Sequence, residues 1–345
     1  MATACASYER DTAFIPAHGQ PALLIDLALS RGIHNHRLLR GTGLFYEDIA
    51  SGQALLAASQ YLDLIGNTRR LLIADDTSFL FGHRLWPGHY GPASDALRTA
   101  ANLGQALELL AHMQALLSPL AALRVRTDEQ LAYLSWRDSC GAGEQWPFLL
   151  EALCAGLVNL CDGLAGERLP WRFDFRHPKP RHLEQYWVHL GEHCRFDQPV
   201  QQLCLPLHYL MRPRSGVSPL AGRVSTGQAR DQLRTLGFSH SLLDSLYAVL
   251  RDAGPRPPNL ETAASALGMS ATTLKRKLQR HGTGFQTLLD EARRDLALDL
   301  YQLRGWDHEA VARYLNLQDP ANFRRALKRW TGTTPSLLRR LLQGG

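Results

Sequence analysis

Two short segments, 271–280 and 320–330, hold the side chains best suited to grip another molecule. In the first, ATTLKRKLQR, Leu274 and Leu278 lie four apart and face one way on a helix, leaving Thr272, Lys275, Arg276 and Gln279 on its flanks or far side. Hydroxyl, amide and cationic donors set out this way suit the base edges and phosphates of a DNA groove. Residues 260–267 are helical in pattern, Gly268-Met269-Ser270 turns, and Ser270 stands where it would cap the next helix. Two short helices around a tight Gly-containing turn are what a helix-turn-helix requires.

A similar unit recurs about 50 residues on. Residues 309–315 form its first helix, 316–318 its turn, and Asp319 caps the helix 320–330 with Pro320 at the first helical position. Leu267-Gly268 matches Leu315-Asn316, and Leu274 and Leu278 match Phe323 and Leu327, the second turn being one residue longer. Phe323, Leu327 and Trp330 repeat at helical spacing and read as core rather than as a stacking platform for single strands. Between the units, Phe285, Leu288, Leu289, Ala292, Leu296 and Leu300 follow the rhythm of one long amphipathic helix, with Arg293, Arg294 and Asp295 outside. A rigid connector of this kind would let the two helices enter successive major grooves, about 34 Å apart.

Other chemistry has weaker support. His189-Leu190-Gly191-Glu192-His193 fits H-x-x-E-H, in which two imidazoles on one helical face bind zinc beside a glutamate base, so a zinc hydrolase on His189, Glu192 and His193 is the alternative reading. Gly191 inside the required helix and the lack of a third ligand in context speak against it. His83, Trp86, His89 and Tyr90 form an aromatic and imidazole cluster suited to a ligand, although a loop packed by its own Trp and Tyr is the blander explanation. The phosphate-cradling and nucleophile-elbow glycine motifs do not occur. No catalytic residue, metal or cofactor is expected, and the chain does not read as an enzyme.

These elements sit in a chain of 345 residues, 45% hydrophobic and 20% charged, a balance that excludes disordered and fibrous classes and allows two domains. Its charge is divided unevenly: net +7 from Arg251 onward against −1 before it, which places any nucleic-acid contact at the C-terminal end. Asp252 to Asn259, with three prolines and a glycine, interrupts helix and starts a new unit. The N-terminus, with Glu9, Arg10 and Asp11, lacks the pattern of an export signal. The apolar run 147–161 is broken by Glu151 and Asn159 and falls short of the roughly 20 residues a bilayer needs, so it reads as a buried helix and no membrane partner is expected. Cys5, Cys140, Cys154, Cys161, Cys194 and Cys204 form no C-x-x-C pair and suit a reduced cytoplasm. Upstream, helical stretches 21–30, 52–65, 93–117 and 146–160 alternate with β-like runs 71–74, 171–175 and 201–205, which makes residues 1–225 an α+β domain.

The run LGMSATTLKRKLQRHGTGFQTLLDEARRDLAL followed by LNLQDPANFRRALKRWTGTTPSLLR resembles the C-terminal domain of the AraC/XylS family of bacterial transcription regulators, over about residues 240–342. Its most specific part runs from Asp319 to Pro335. LFGHRLWPGHYG and FDFRHPKPRHLEQYWVHL resemble, more weakly, the regulatory domain named for arabinose binding. The resemblance implies an α+β sensor and dimerisation domain (1–225), a linker (226–239) and an all-α DNA-binding domain with two helix-turn-helix motifs joined by a long helix (240–345). It places DNA contacts on Thr272, Lys275 and Arg276 and on Ala321, Asn322, Arg324, Arg325 and Lys328. Arg276 and Arg325 would each offer two donors to guanine, and Lys328 and Arg329 would hold phosphates. The family's frequent Gly-Phe in the second turn is Asn316-Leu317 here; Asn tolerates the left-handed conformation, so the turn survives. By family habit the protein would be a cytoplasmic homodimer that binds double-stranded promoter DNA, activates by contact with RNA polymerase and answers a small-molecule effector of unknown identity. Control by abundance or by a protein partner stays open beside the effector.

Overall fold

The computed structural model describes residues 6–317 and 319–343. An α+β N-terminal part precedes a helical helix-turn-helix domain. At the centre of the first lies a five-stranded sheet in the order Ala121–Thr127, Leu131–Asp138, Gln202–Pro206, Arg172–Asp174, Cys194–Arg195, antiparallel except for its last pair. The hairpin that opens it was not among the expected strands. Leu123, Val125 and the polar residues between them alternate only loosely, because Arg124, Arg126 and Arg137 on these strands are themselves drawn inward.

The helix Trp146–Ala165 is apolar on nearly every side and therefore buried rather than amphipathic. At 20 residues it is longer than the sequence reading allowed, and by length and composition it could cross a membrane; two thirds of its most apolar window is instead covered by the fold. It packs against Thr77–Leu85 through glycines. A β-carbon on Gly82 would lie 2.3 Å from the Ala152 carbonyl oxygen, and one on Gly156 2.7 Å from that of Gly82, so only glycine lets these backbones meet. Cys154 and Cys161 lie on this helix, buried, and burial pushes both thiols up; Cys5 lies outside the described residues.

Several expected boundaries shift. The stretch 52–65 divides into the strand Leu55–Ala57, paired with Ala13–Pro16, and the helix Ala58–Leu71, which also absorbs the start of the supposed strand 71–74. The stretch 93–117 breaks into Pro92–Arg98, Leu103–His112 and Gln114–Leu117, because the Asn102 side chain accepts from the Gln105 N–H and starts a fresh helix. The stretch 226–239, expected as linker, is ordered: it covers the second half of the helix Pro219–Leu236, Gly237 and the start of the strand Phe238–Ser241, which pairs in parallel with Ala6–Tyr8.

In the C-terminal part the helix Phe285–Gln302, about 27 Å long at 1.5 Å per residue, serves two cores. Leu288, Leu289 and Ala292 pack with Leu246, Leu250, Leu274 and Leu278; Leu296, Leu300 and Tyr301 pack with Val311, Phe323, Leu327 and Trp330. Val200 of the N-terminal part joins the second cluster.

Candidate nucleic-acid interface

The first unit is built by capping. Asn259 accepts from the Thr262 N–H at 2.9 Å to start Leu260–Ala266; Gly268 takes φ +69°; Ser270 accepts from the Thr273 N–H at 3.2 Å to start Ala271–Arg280. Leu274 and Leu278 are buried, and Thr272, Lys275, Arg276 and Gln279 are exposed. Lys277 and Arg280 turn to the N-terminal part, where Lys277 pairs with Glu9 and Arg280 with Asp11 at 3.2 Å.

In the second unit Asp307 accepts from the Ala310 N–H at 2.8 Å to open His308–Tyr314. Asn316 adopts φ +59°, the left-handed conformation that glycine takes at Gly268 in the first turn. Gln318, the last turn residue, lies outside the described residues. Asp319 accepts from the N–H groups of Ala321 and Asn322, at 3.4 and 2.9 Å, and opens Pro320–Thr331. Phe323, Leu327 and Trp330 point into the core; Ala321, Asn322, Arg324, Arg325 and Lys328 are exposed. Arg325 donates to the Asn322 side-chain oxygen. Arg329, expected on phosphate, instead gives two donors to Asp290 at 3.0 and 3.1 Å, and the Trp330 indole N–H reaches the same carboxylate at 3.0 Å. Each of the two basic helices carries four cationic residues and no acidic one, so both present fields that favour polyanions.

The far face of the connector helix is not solvated, contrary to the expectation for Arg293, Arg294 and Asp295. Asp299 gathers Arg124, Arg126 and Arg251, the Arg126 contact at 2.8 Å. Burial pushes the Asp295 carboxyl up, but Arg294, Arg124 and the Tyr247 hydroxyl outweigh burial and hold it below the ordinary carboxylate range. One turn further, Gln302 donates to Gln202 at 3.2 Å. Beside this helix, Asp244 pairs with Arg137 and accepts from Gln114 at 2.6 Å, so the helix Leu242–Asp252 is tied to the same sheet. Sequence reading missed every one of these links.

The histidine motifs have structural placements. The helix Leu183–His189 ends at His189, Gly191 takes φ +109°, and His193 already precedes the strand Cys194–Arg195, so the two imidazoles do not share a helical face as zinc binding by H-x-x-E-H demands. His189 Nδ1 lies 3.1 Å from His83 Nε2 instead. Among the described residues no group of three or more His, Cys, Asp or Glu is placed to hold a metal. Trp86 and Tyr90 are buried, donating to the carbonyls of Leu117 and Leu85 at 2.8 Å each, while His89 is exposed.

Residues 32–214 match the family described as the arabinose-binding domain of AraC transcription regulator, N-terminal, and residues 263–341 match a helix-turn-helix domain. The ornithine utilization regulator of Pseudomonas aeruginosa is 29% identical over 314 residues, covering 91% of this chain and 93% of that protein. An uncharacterized HTH-type transcriptional regulator of Mycobacterium tuberculosis is 25% identical over 334 residues, again 91% of this chain and 93% of the relative. Among solved structures, the transcriptional regulator CdpR from Pseudomonas aeruginosa aligns with 93% of this chain and 98% of its own at 20% identity, with a TM-score of 0.46.

Proposed function

The chain belongs to the AraC transcription regulators whose N-terminal domain is of the arabinose-binding type, and from that premise we propose that it reads two successive half-sites of promoter DNA with its two basic helices. The observation that carries the proposal is their construction. Each helix buries its apolar side and exposes an acid-free basic side, and one continuous helix joins both cores and so sets their spacing. Arg276 and Arg325 read guanine, Thr272, Lys275, Ala321, Asn322 and Arg324 complete the two contact faces, and Lys328 neutralises phosphate.

The finer reading divides the chain at 1–225, 226–239 and 240–345 and assigns effector sensing and dimerisation to the first part. An effector acts only if it binds one arrangement of sensor and DNA-binding domain better than another. The ties from Arg124, Arg126 and Arg137 to the helices of the DNA-binding domain support that reading, since they give the sensor something to move. A homodimer would pair two such modules on DNA. Activation through RNA polymerase, in the cytoplasm, follows from the family.

Genome-wide occupancy of the full chain, set against the Arg276→Ala/Arg325→Ala double variant at equal expression, tests the proposal. Sharp promoter peaks that vanish in the variant are the expected result. Peaks unchanged by both substitutions would remove the base-reading assignment.

A further inference from the structure

Of the four cations on the second basic helix, Arg329 is the one that, among the described residues, meets a carboxylate. It follows Arg325 by four positions and Asn322 by seven, so it stands on the same side of the helix as those two residues. Its side chain is 59% exposed, on the flank of the surface assigned to DNA.

Asp290, on the connector helix, takes Arg329 with both oxygens, from Nε at 3.1 Å and from Nη2 at 3.0 Å. The same carboxylate accepts from Nε1 of the buried Trp330 and from Nε2 of Gln286, each at 3.0 Å. The indole requires that acceptor, because a buried N–H left without one is destabilising. The guanidinium does not. An arginine on the surface is well solvated, and an exposed ion pair contributes little to stability. Burial of the indole thus accounts for the Trp330 bond, and nothing in the fold requires the two from Arg329.

What those two bonds change is the charge offered to DNA. They neutralise one cation and occupy the guanidinium edge that would otherwise lie along a phosphate. A phosphate contact adds affinity to every sequence alike and carries no base information.

We propose that Asp290 is a positioning residue for sequence discrimination: it anchors the end of the second basic helix on the connector and withholds Arg329 from phosphate. DNA is then held there by base contact more than by grip on the backbone. The proposal rests on the reading of this helix as a DNA-binding element.

Salt titrations of the full chain, of Asp290→Asn, of Arg329→Gln and of the double variant test it, on a random-sequence duplex and on a promoter fragment recovered from the occupancy experiment. Asn keeps an acceptor for Trp330 and loses the charge that holds Arg329. Arg329→Gln is expected to keep the wild-type salt slope, because in the wild type this residue touches no phosphate. Asp290→Asn is expected to steepen the slope by about one charge and to tighten binding of the random duplex about three- to tenfold. The promoter gains less, since base contacts need the orientation that the anchor gives. The double variant returns to the wild-type slope. A mere effect of net charge would make Arg329→Gln as much shallower as Asp290→Asn is steeper, and that result overturns the proposal. So does a lowered Tm with an unchanged slope in Asp290→Asn, the mark of a purely structural residue. Should Asp290→Asn not fold, Arg329→Gln decides alone: an unchanged slope supports the proposal and a shallower one overturns it. Lys328→Ala separates the proposal from its premise. If that variant is shallower by about one charge while the others disagree with expectation, only the role of Asp290 falls; if it too leaves the slope unchanged, the helix does not meet DNA and both fall.

Discussion

The carbonyl oxygen of His281 lies only 1.9 Å from the position a β-carbon on Gly141 would occupy. Gly141 also takes φ +72°, so both its conformation and its lack of a side chain are used where the end of the first basic helix meets the loop after Leu131–Asp138. The Arg10 guanidinium donates to the Gly141 carbonyl, and the pairs Glu9 with Lys277 and Asp11 with Arg280 flank the contact. The first helix-turn-helix unit is thereby fixed to the N-terminal part by the three residues that directly follow the strand Ala6–Tyr8, itself paired with Phe238–Ser241.

Gly141→Ala forces either a strained left-handed alanine or a retreat of residues 281–283. Expected is a loss of about 1–3 kcal/mol, with faster hydrogen exchange confined to 271–283 and the 138–145 loop. Unchanged exchange across 271–283 would mean that the contact is not made in solution.

Asp299 is the acid on which three guanidinium groups converge, and its side chain is 14% exposed. Asp299→Asn leaves Arg126 and Arg251 without their counter-charge and Arg124 with Asp295 alone, at 3.8 Å, and is expected to cost about 3–5 kcal/mol in urea unfolding. Asp231→Asn removes an exposed pair with Arg234 on one helix and is expected to cost less than about 1 kcal/mol. Equal effects would show that Asp299 acts as an ordinary surface acid.

The helix-turn-helix units were legible because each is local: cap, apolar pair and turn residue all fall within about 20 positions, and Asn316 announced its left-handed turn by type alone. What escaped is non-local. Arg124 and Asp299 are 175 positions apart, and no periodicity within either segment shows that they meet. The connector helix misled for a related reason. One apolar stripe was visible, whereas the opposite face is covered by a sheet through ion pairs, so Arg294 and Asp295 look like solvent residues in the sequence and are half-buried in the fold. Arg329 was assigned to phosphate by its place on the basic helix; only the fold shows Asp290 beside it.

His281 gives the contact with the N-terminal part a pH dependence. Burial, at 1% exposure, lowers its pKa, with Arg10 adding to the effect and Glu9 and Asp138 opposing it. A histidine whose folded value lies below its unfolded value of about 6.5 takes its proton more readily when released. Its stabilising share is therefore present above that value and lost as pH falls through and below it. Protection at 271–283, taken against the intrinsic exchange rate at each pH, should fall between about pH 8 and about pH 5.5 in the wild type. Burial also lowers His83, His189 and His308, whereas His182 is raised by its hydrogen bond to Glu151, so global unfolding mixes several titrations. The difference between wild type and His281→Phe isolates this one; parallel pH profiles would discount it.

Arg325 and Lys328 stand three residues apart on the exposed side of the second basic helix, with the same charge and different geometry. Arg325 is steadied by the Asn322 side-chain oxygen, which leaves the remaining guanidinium donors in a fixed fork suited to one guanine edge. Lys328 has a flexible stem and a point charge, which favours a phosphate oxygen at any sequence. Binding of Arg325→Ala to a library of single-base variants of a bound promoter should weaken by about 1–3 kcal/mol on the best site and lose discrimination at one position only. Lys328→Ala should weaken every variant alike and lower the salt slope by about one charge. Asn322→Ala should resemble a milder Arg325→Ala, since it frees the fork without removing it. If Arg325→Ala weakened all sites uniformly, the helix would be gripping the backbone, and base reading in the second unit would have to be sought on Ala321 and Arg324.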